Sequence, residues 1–212
     1  MSSPLSNGPQ GYLTLTFIRL ALCLSAAVSL VACSSNPTPP PPASIPAYLQ
    51  SPTGCAVVAG GDIGSRFNAK QVADNWRRIN AAVTTELYDR LVLNKYKVVQ
   101  FLVPGERTRD AGELVFDSVG SHQCNRVLQV AHKVDEDASG KYFRFDITLF
   151  RAVPKPNAGN PTGSTSVVAT REYERSYRYP RTQQSFENFY TGTFAEQVLA
   201  DLVAANALAP LR

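Results

Sequence analysis

Residues 55–103 read CAVVAGGDIGSRFNAKQVADNWRRINAAVTTELYDRLVLNKYKVVQFLV, and the change of period inside this stretch decides the fold. Residues 55–59 are an unbroken short apolar run, which suits a buried strand, and Gly60-Gly61-Asp62-Ile63-Gly64-Ser65 breaks it. Over residues 69–93 the apolar positions recur every three or four residues. Val72, Trp76, Ile79, Val83, Leu87 and Leu91 therefore share one helical face. Asn94 is a plausible helix stop. Residues 96–103 then return to a strand pattern, closed by Pro104. Strand, long helix and strand make a crossover unit with parallel strands.

Outward from this unit the pattern changes. Residues 105–112 are polar and read as a loop, and residues 113–119 as a short helix. Residues 126–134 and 142–150 alternate, with Leu128, Val130, His132 and Val134 on one side of the first and Phe143, Phe145, Ile147 and Leu149 on one side of the second. Asp135-Glu136-Asp137-Ala138-Ser139-Gly140 lies between them, so the pair is expected as a hairpin. Residues 154–163 read as a loop and residues 167–179 as a long strand ended by Pro180. After Gly192, Thr193 with Glu196 three residues on is a capping-box pattern, and Phe194, Val198, Leu202 and Ala205 make the apolar stripe of a last helix. The expected fold is α/β (α+β): a mixed sheet of about five strands with helices packed mainly on one face, in the order β-α-β-α-β-β-β-α.

Upstream, residues 20–32 form an apolar run of signal-peptide size, preceded by Arg19 and too short for a bilayer span, which needs about 20 residues. The run ends in Leu30-Val31-Ala32-Cys33, followed by Ser34-Ser35-Asn36. This motif resembles the lipobox of bacterial lipoproteins. The resemblance implies cleavage before Cys33, diacylglycerol and a palmitate-like acyl chain on that cysteine, and anchoring to a lipid bilayer. In that family the residue after the cysteine influences sorting. Ser34 is not the aspartate associated with inner-membrane retention, so the resemblance implies the outer membrane, facing the periplasm. The organisation expected is a signal peptide over residues 1–32, a lipidated cysteine and tether over 33–47, and one domain over 48–212. Residues 36–46 are rich in proline and favour an extended polyproline helix, either as a passive tether or as a segment that a partner reads.

Removing Arg19 with the signal leaves 20 basic and 17 acidic side chains, a net charge of +3. That is too mild to argue for nucleic acid. Of four cysteines, Cys23 leaves with the signal and Cys33 takes the lipid. Cys55 and Cys124 remain as one pair in an oxidising compartment, either bridged or as two buried thiols. If the first and third strands are parallel neighbours, both cysteines lie at one edge, within reach of a bridge. The element order, carried by residues 87–101 and 113–130, is similar to the small domains of periplasmic assembly lipoproteins: curli-secretion-type lipoproteins, penicillin-binding-protein activators and the N-terminal domain of TolB. That resemblance bears on fold.

Several residues invite a chemical reading. Arg171, Tyr173, Arg175, Tyr177 and Tyr179 alternate along the long strand, with Glu172, Glu174 and Arg178 opposite. Tyrosine and arginine in such numbers suit a partner surface, and a charged edge strand that resists aggregation is the competing account. Asp135, Asp137 and Ser139 with Gly140 match the first half of a calcium loop, although the flanks read as strands rather than helices. His122 beside Cys124 lacks the further ligands a metal would need, and His132 reads as a structural, hydrogen-bonded histidine. Gly60 to Gly64 lacks the spacing of a phosphate-binding loop and reads as a turn. No cofactor is expected. The expectation is a non-catalytic envelope lipoprotein that binds an envelope protein or glycan. The alternative is an envelope hydrolase using His122, Asp62 and Glu113.

Overall fold

The computed structural model describes residues 45–64, 68–155 and 166–212. Cys33, the apolar run before it and the proline-rich stretch up to residue 44 lie outside the described residues. Five strands form one sheet: β1 (Ala56–Gly61), β2 (Val98–Val103), β3 (Arg126–Asp137), β4 (Gly140–Lys155) and β5 (Ser166–Pro180), in the spatial order β2-β1-β3-β4-β5. β1 runs parallel to both β2 and β3, whereas β3, β4 and β5 are antiparallel. The helices are α1 (Ala47–Gln50), α2 (Lys70–Leu93), α3 (Ala111–Ser121), α4 (Gln183–Glu187) and α5 (Thr191–Ala204), with a closing 3-10 turn at Ala209–Leu211. This is the mixed α/β sheet that the pattern of periods implies.

β1 is the central parallel strand and is buried along its whole length. Its unbroken Ala-Val-Val-Ala run suits a strand covered on both faces. Ala56 and Val58 pack with Val83, Leu87 and Leu91 of α2 and with Val198 and Leu202 of α5. Val57 and Ala59 face the other way, toward Val115 and Val119 of α3 and Leu49 of α1. The two long helices thus share one face, and α3 with the short α1 covers part of the other.

The register Ala56↔Arg126 places the residues just before β1 and β3 side by side. Cys55 and Cys124 occupy those positions and are joined, with their Cα atoms 4.7 Å apart. Beside them Asn125 gathers the chain entering the domain. Its amide donates to the carbonyls of Tyr48, Ser51 and Thr53 at 2.9–3.1 Å. Arg126, with only 2% of its side chain exposed, is met by both carboxylate oxygens of Glu172 at 2.8 and 3.2 Å and by the carbonyl of Pro52. Such a charge is tolerated in the interior only because it is paired and hydrogen-bonded.

The far end of β1 is tied to the middle of β3 by Asn80 of α2. Its side-chain oxygen accepts from the Gly61 amide at 2.7 Å, and its Nδ2 donates to the Val130 carbonyl at 3.0 Å. Nδ2 also lies 3.1 Å from His132 Nδ1, and the imidazole stacks on Trp76 at 5.7 Å. His132 is thus the buried, hydrogen-bonded histidine expected from the sequence. The helix comes this close because Gly60 carries no side chain: a Cβ there would sit 1.8 Å from Thr84 Oγ1. Gly61 has φ +87, a conformation that favours glycine. The two glycines expected in a turn are in fact the last residues of β1, held by α2.

Three local expectations change. Asp135 and Asp137 belong to β3 rather than to a six-residue turn, and the hairpin reverses through Ala138 and Ser139 alone. The capping box does not form. α5 starts at Thr191 with Tyr190 as its cap, and Glu196 instead reaches Arg90 of α2 at 3.0 Å. Arg90 also donates to the Gly192 carbonyl at 3.0 Å, so a tertiary contact occupies the helix start. Pro154 does not open a loop, because β4 continues through it to Lys155.

Two mutations test these ties. The disulfide links residues 69 apart, so Cys55→Ser is expected to lower the unfolding free energy by about 4 kcal/mol on the loop-entropy estimate, measured by urea unfolding. Asn80→Ala leaves the Gly61 amide and Val130 carbonyl without their partner, and a loss of about 3 kcal/mol is expected in the same assay. A loss under about 0.5 kcal/mol would show that Asn80 does not tie the helix to the sheet.

Candidate functional site

Two of the domain's concavities bear on recognition, and of the residues that the sequence offers for chemistry or binding they include only Asp62 and Tyr179. The larger encloses about 670 Å3 at the C-terminal ends of β1 and β2, where open α/β sheets commonly bind ligands. Asp62 enters it from the end of β1, Lys70, Asp74 and Arg77 from the first turns of α2, and Glu106 to Asp110 from the β2–α3 loop. Its charges are matched. Asp62 pairs with Arg107, which also donates to the Pro104 carbonyl at 3.0 Å. Asp74 meets Arg77 at 2.9 Å, and Lys70 faces Glu106 at 3.9 Å. Arg109 reaches Asp117 at 2.6 Å, and Asp110 caps α3 by accepting from the Gly112 amide at 2.7 Å. A guest here would have to exchange these ion pairs. The exposed Lys70–Glu106 pair is weak and inexpensive to exchange, whereas Asp62 and Arg107 are mostly covered.

The arginine and tyrosine strand does not present one outward face. Tyr177 is buried and donates to Asp201 of α5 at 2.6 Å. Burial, reinforced by that carboxylate, raises the Tyr177 pKa. Tyr173 and Tyr179 are partly buried against the same core, and Tyr179 stacks on Phe143 at 5.1 Å. Arg171 lies on the other face. Tyr173 pairs with Leu149 and Arg171 with Phe150, so a bulge leaves Glu172 unpaired and breaks the alternation. Arg171 accordingly joins Glu174. Arg175 remains half exposed at the rim, 2.9 Å from Asp201 and over the Tyr177 ring. The alternation holds from Tyr173 to Tyr179, but α5 covers the tyrosine side, so only Arg175 of that group is left for a partner on that face.

The acidic turn is also accounted for by local pairing. Asp135 binds Arg144 at 2.6 Å, Asp137 binds Arg178 at 2.6 Å, and the Ser139 amide donates to Asp137. Both carboxylates are thus already paired with arginines, which lends no support to the calcium reading of Asp135, Asp137 and Ser139. Among the described residues no group of three or more His, Cys, Asp or Glu side chains is arranged to hold a metal ion. Next along the open face, burial of Asp146 opposes its ionisation. Hydrogen bonds from Lys133 and Ser176 and the charges of Lys133 and Arg144 outweigh that effect and keep its pKa below the usual value.

The residues considered for hydrolysis do not converge. Asp62 faces Arg107 in the crevice, Glu113 lies in the first turn of α3 beside Arg109, and His122 follows the last turn of that helix, bonded to the Ser118 carbonyl. Nine residues of helix separate the last two by about 13 Å along the axis.

The second concavity, of about 400 Å3, takes in only Tyr179 of the residues that the sequence offers for a partner. It lies over α4 and the start of α5. Tyr179, Phe189, Tyr190 and Phe194 supply its rings, and Gln184, Asn188 and Gln197 its amides. The signal is present in residues 184–197, where aromatic and amide side chains interleave. α4 is too short to announce itself by periodicity, so these residues read as a connection. No family profile matches the chain, and no curated protein matches it in sequence.

The hairpin tip provides a pH test. Hydrogen bonds from Ser139 and Arg178 lower the Asp137 pKa from 3.8 to about 2. The contribution of these bonds is fully present above the ordinary carboxylate value and is lost as pH falls through about 2. NMR titration of Asp137 should give a midpoint near that value, and Arg178→Ala should raise it. An unchanged midpoint in the variant would refute the assignment.

Proposed function

We propose that this protein is a lipid-anchored binding module of a bacterial envelope, held through Cys33 at the outer membrane and facing the periplasm. One juxtaposition carries the reading: a lipobox-like Leu-Val-Ala-Cys at the end of a signal-sized apolar run, followed by a domain whose two remaining cysteines are joined. Structural disulfides accumulate in oxidising compartments, and the bridge between Cys55 and Cys124 supports an extracytoplasmic setting. Among the described residues no helix is long and apolar enough to cross a membrane, and in this reading the anchor is the acyl lipid. Each buried methylene contributes about 0.8 kcal/mol, and stable anchoring takes more than one chain, as in the lipoproteins that the motif resembles. The mildly basic mature chain and the charge-matched crevice favour an envelope protein or glycan as partner over nucleic acid.

The wild-type protein is expected to incorporate labelled palmitate and to sediment with outer membranes. Cys33→Ala should lose the label and move to the soluble periplasmic fraction. A variant that stays with membranes would overturn the anchor. In-cell photocrosslinking from Lys70, Arg175 and Tyr190 should give adducts absent from a probe at Leu93, which is 77% exposed and lines neither concavity. Equal yields at all four positions would remove the binding role.

A further inference from the structure

We infer that the concavity over α4 and α5 is a binding site for a neutral oligosaccharide. The inference deepens the binding-module reading and depends on it for its biological setting, but the chemistry of the pocket stands on its own residues.

The first observation is the absence of charge. The crevice beside β1 and β2 is lined by four basic and four acidic side chains, whereas no charged side chain lines this pocket. An anionic or cationic ligand would find no counter-charge in it. The second observation is the arrangement of the rings. Phe189 and Phe194 lie 5.5 Å apart and are braced from below by Phe145, and Tyr179 meets Phe189 edge-on at 5.4 Å. This floor is rigid because its rings belong to the core. Tyr190 is different. It is 67% exposed at the rim, and no hydrogen bond of its side chain to a described residue is present. Its ring stands in water beside the concavity and is available to stack on the face of a ligand.

The third observation concerns the amides. The side chains of Gln184, Asn188 and Gln197 are exposed and make no hydrogen bond with another described residue, whereas the well-used amides of the domain are buried. Asn80 and Asn125, for example, make five protein contacts at or under 3.1 Å between their side-chain nitrogens. Each free amide offers both a donor and an acceptor. A sugar ring meets all of these features at once. Its C–H face covers an aromatic ring, and its hydroxyls give and take hydrogen bonds with amides. A proline-rich peptide would also suit the rings, but its prolines carry no N–H for the amide oxygens. The described chain also begins on the other face of the sheet from this pocket. The chain enters the domain at Ile45, on the α3 side of the sheet and beside the starts of β1 and β3. The pocket opens on the α2–α5 side, near the far end of β3 where Tyr179 pairs with Phe143. The volume of about 400 Å3 falls in the range of small-ligand sites and admits a guest of disaccharide size.

The test is calorimetric titration of the full-length protein in detergent with chitotetraose and maltotetraose, with oligogalacturonate as the charged counterpart. At least one neutral oligosaccharide should bind, and the charged one at least tenfold more weakly. Tyr190→Ala, which removes an exposed ring without touching the core, should weaken binding by about fivefold or more. The double variant Asn188→Ala, Gln197→Ala should do likewise, both with melting temperatures close to wild type. Absence of binding by either neutral sugar, or an affinity unchanged by Tyr190→Ala, would overturn the site. So would comparable binding of a peptide with the sequence of residues 36–46. Such failure alongside continued palmitate labelling of Cys33 would leave the anchored-lipoprotein reading standing.

Discussion

The side-chain amide of Asn80 is the group on which the rest of the arrangement depends. A parallel strand flanked by two others needs its helix at a fixed height, because the register of α2 determines which residues of β1 and β3 face which cluster. Apolar packing alone sets that height loosely, since a helix can slide while keeping its stripe against the sheet. Asn80 removes the freedom. It takes the Gly61 amide at the end of β1 and the Val130 carbonyl in β3, and it meets His132 beside Trp76. A buried amide that is almost fully satisfied is costly to displace, because water cannot restore a hydrogen bond broken in the interior. At the other end of the same strands, Asn125, Arg126 and the disulfide fix the chain's entry. The sheet is therefore pinned at the start of β3 and again near its middle, and the surfaces away from these pins are free to vary.

This arrangement also explains what was legible in the sequence. The crossover unit, the hairpin, the order of elements and the pairing of Cys55 with Cys124 follow from period and from strand direction, which are properties of short stretches. The face of α2 was less legible. Val72 is 36% exposed and Ile79 only partly buried, while Asn80 and Thr84 are fully buried. A stripe drawn through apolar residues cannot anticipate this, because Asn80 and Thr84 are inside to serve backbone groups at Gly61 and to fill the space above Gly60. The missing information was a partner far away in sequence, which periodicity does not carry.

The long strand shows a second kind of limit. Alternation along residues 171–179 says that tyrosines share a side, but not whether a later helix covers that side. Tyr177 and Asp201 settle it, since the hydroxyl and carboxylate join β5 to α5 at 2.6 Å. One unpaired residue, Glu172, then moves Arg171 to the opposite face. Glu172 has its own reason to depart from the ladder, because it supplies both oxygens that neutralise the buried Arg126. The bulge and the buried ion pair are two sides of one feature. A reading by alternation fails there because a charge in the core required a carboxylate beside it.

Burial of the tyrosines has a consequence for where recognition can occur. Once Tyr173, Tyr177 and Tyr179 pack under α5, β5 offers solvent mainly paired charges: Arg171 with Glu174, Arg175 with Asp201 and Arg178 with Asp137. Such an edge resists association with other strands. β2, at the other edge, carries no charge in Val98–Val103, but its side chains are mostly half covered by the flanking layers. In the binding-module reading proposed above, recognition is thereby directed away from the strands and toward concavities built by loops and helix ends, which can change without disturbing the sheet. The aromatic and amide pocket is of this kind. Its floor belongs to the core and is as rigid as the sheet, whereas the rim is formed by the side chains of Tyr190, Asn188 and Gln197, which hold no other element in place. A rigid apolar floor with a polar rim of free donors and acceptors is the arrangement that a selective site requires, since the floor supplies area without reorganisation and the rim determines what is admitted.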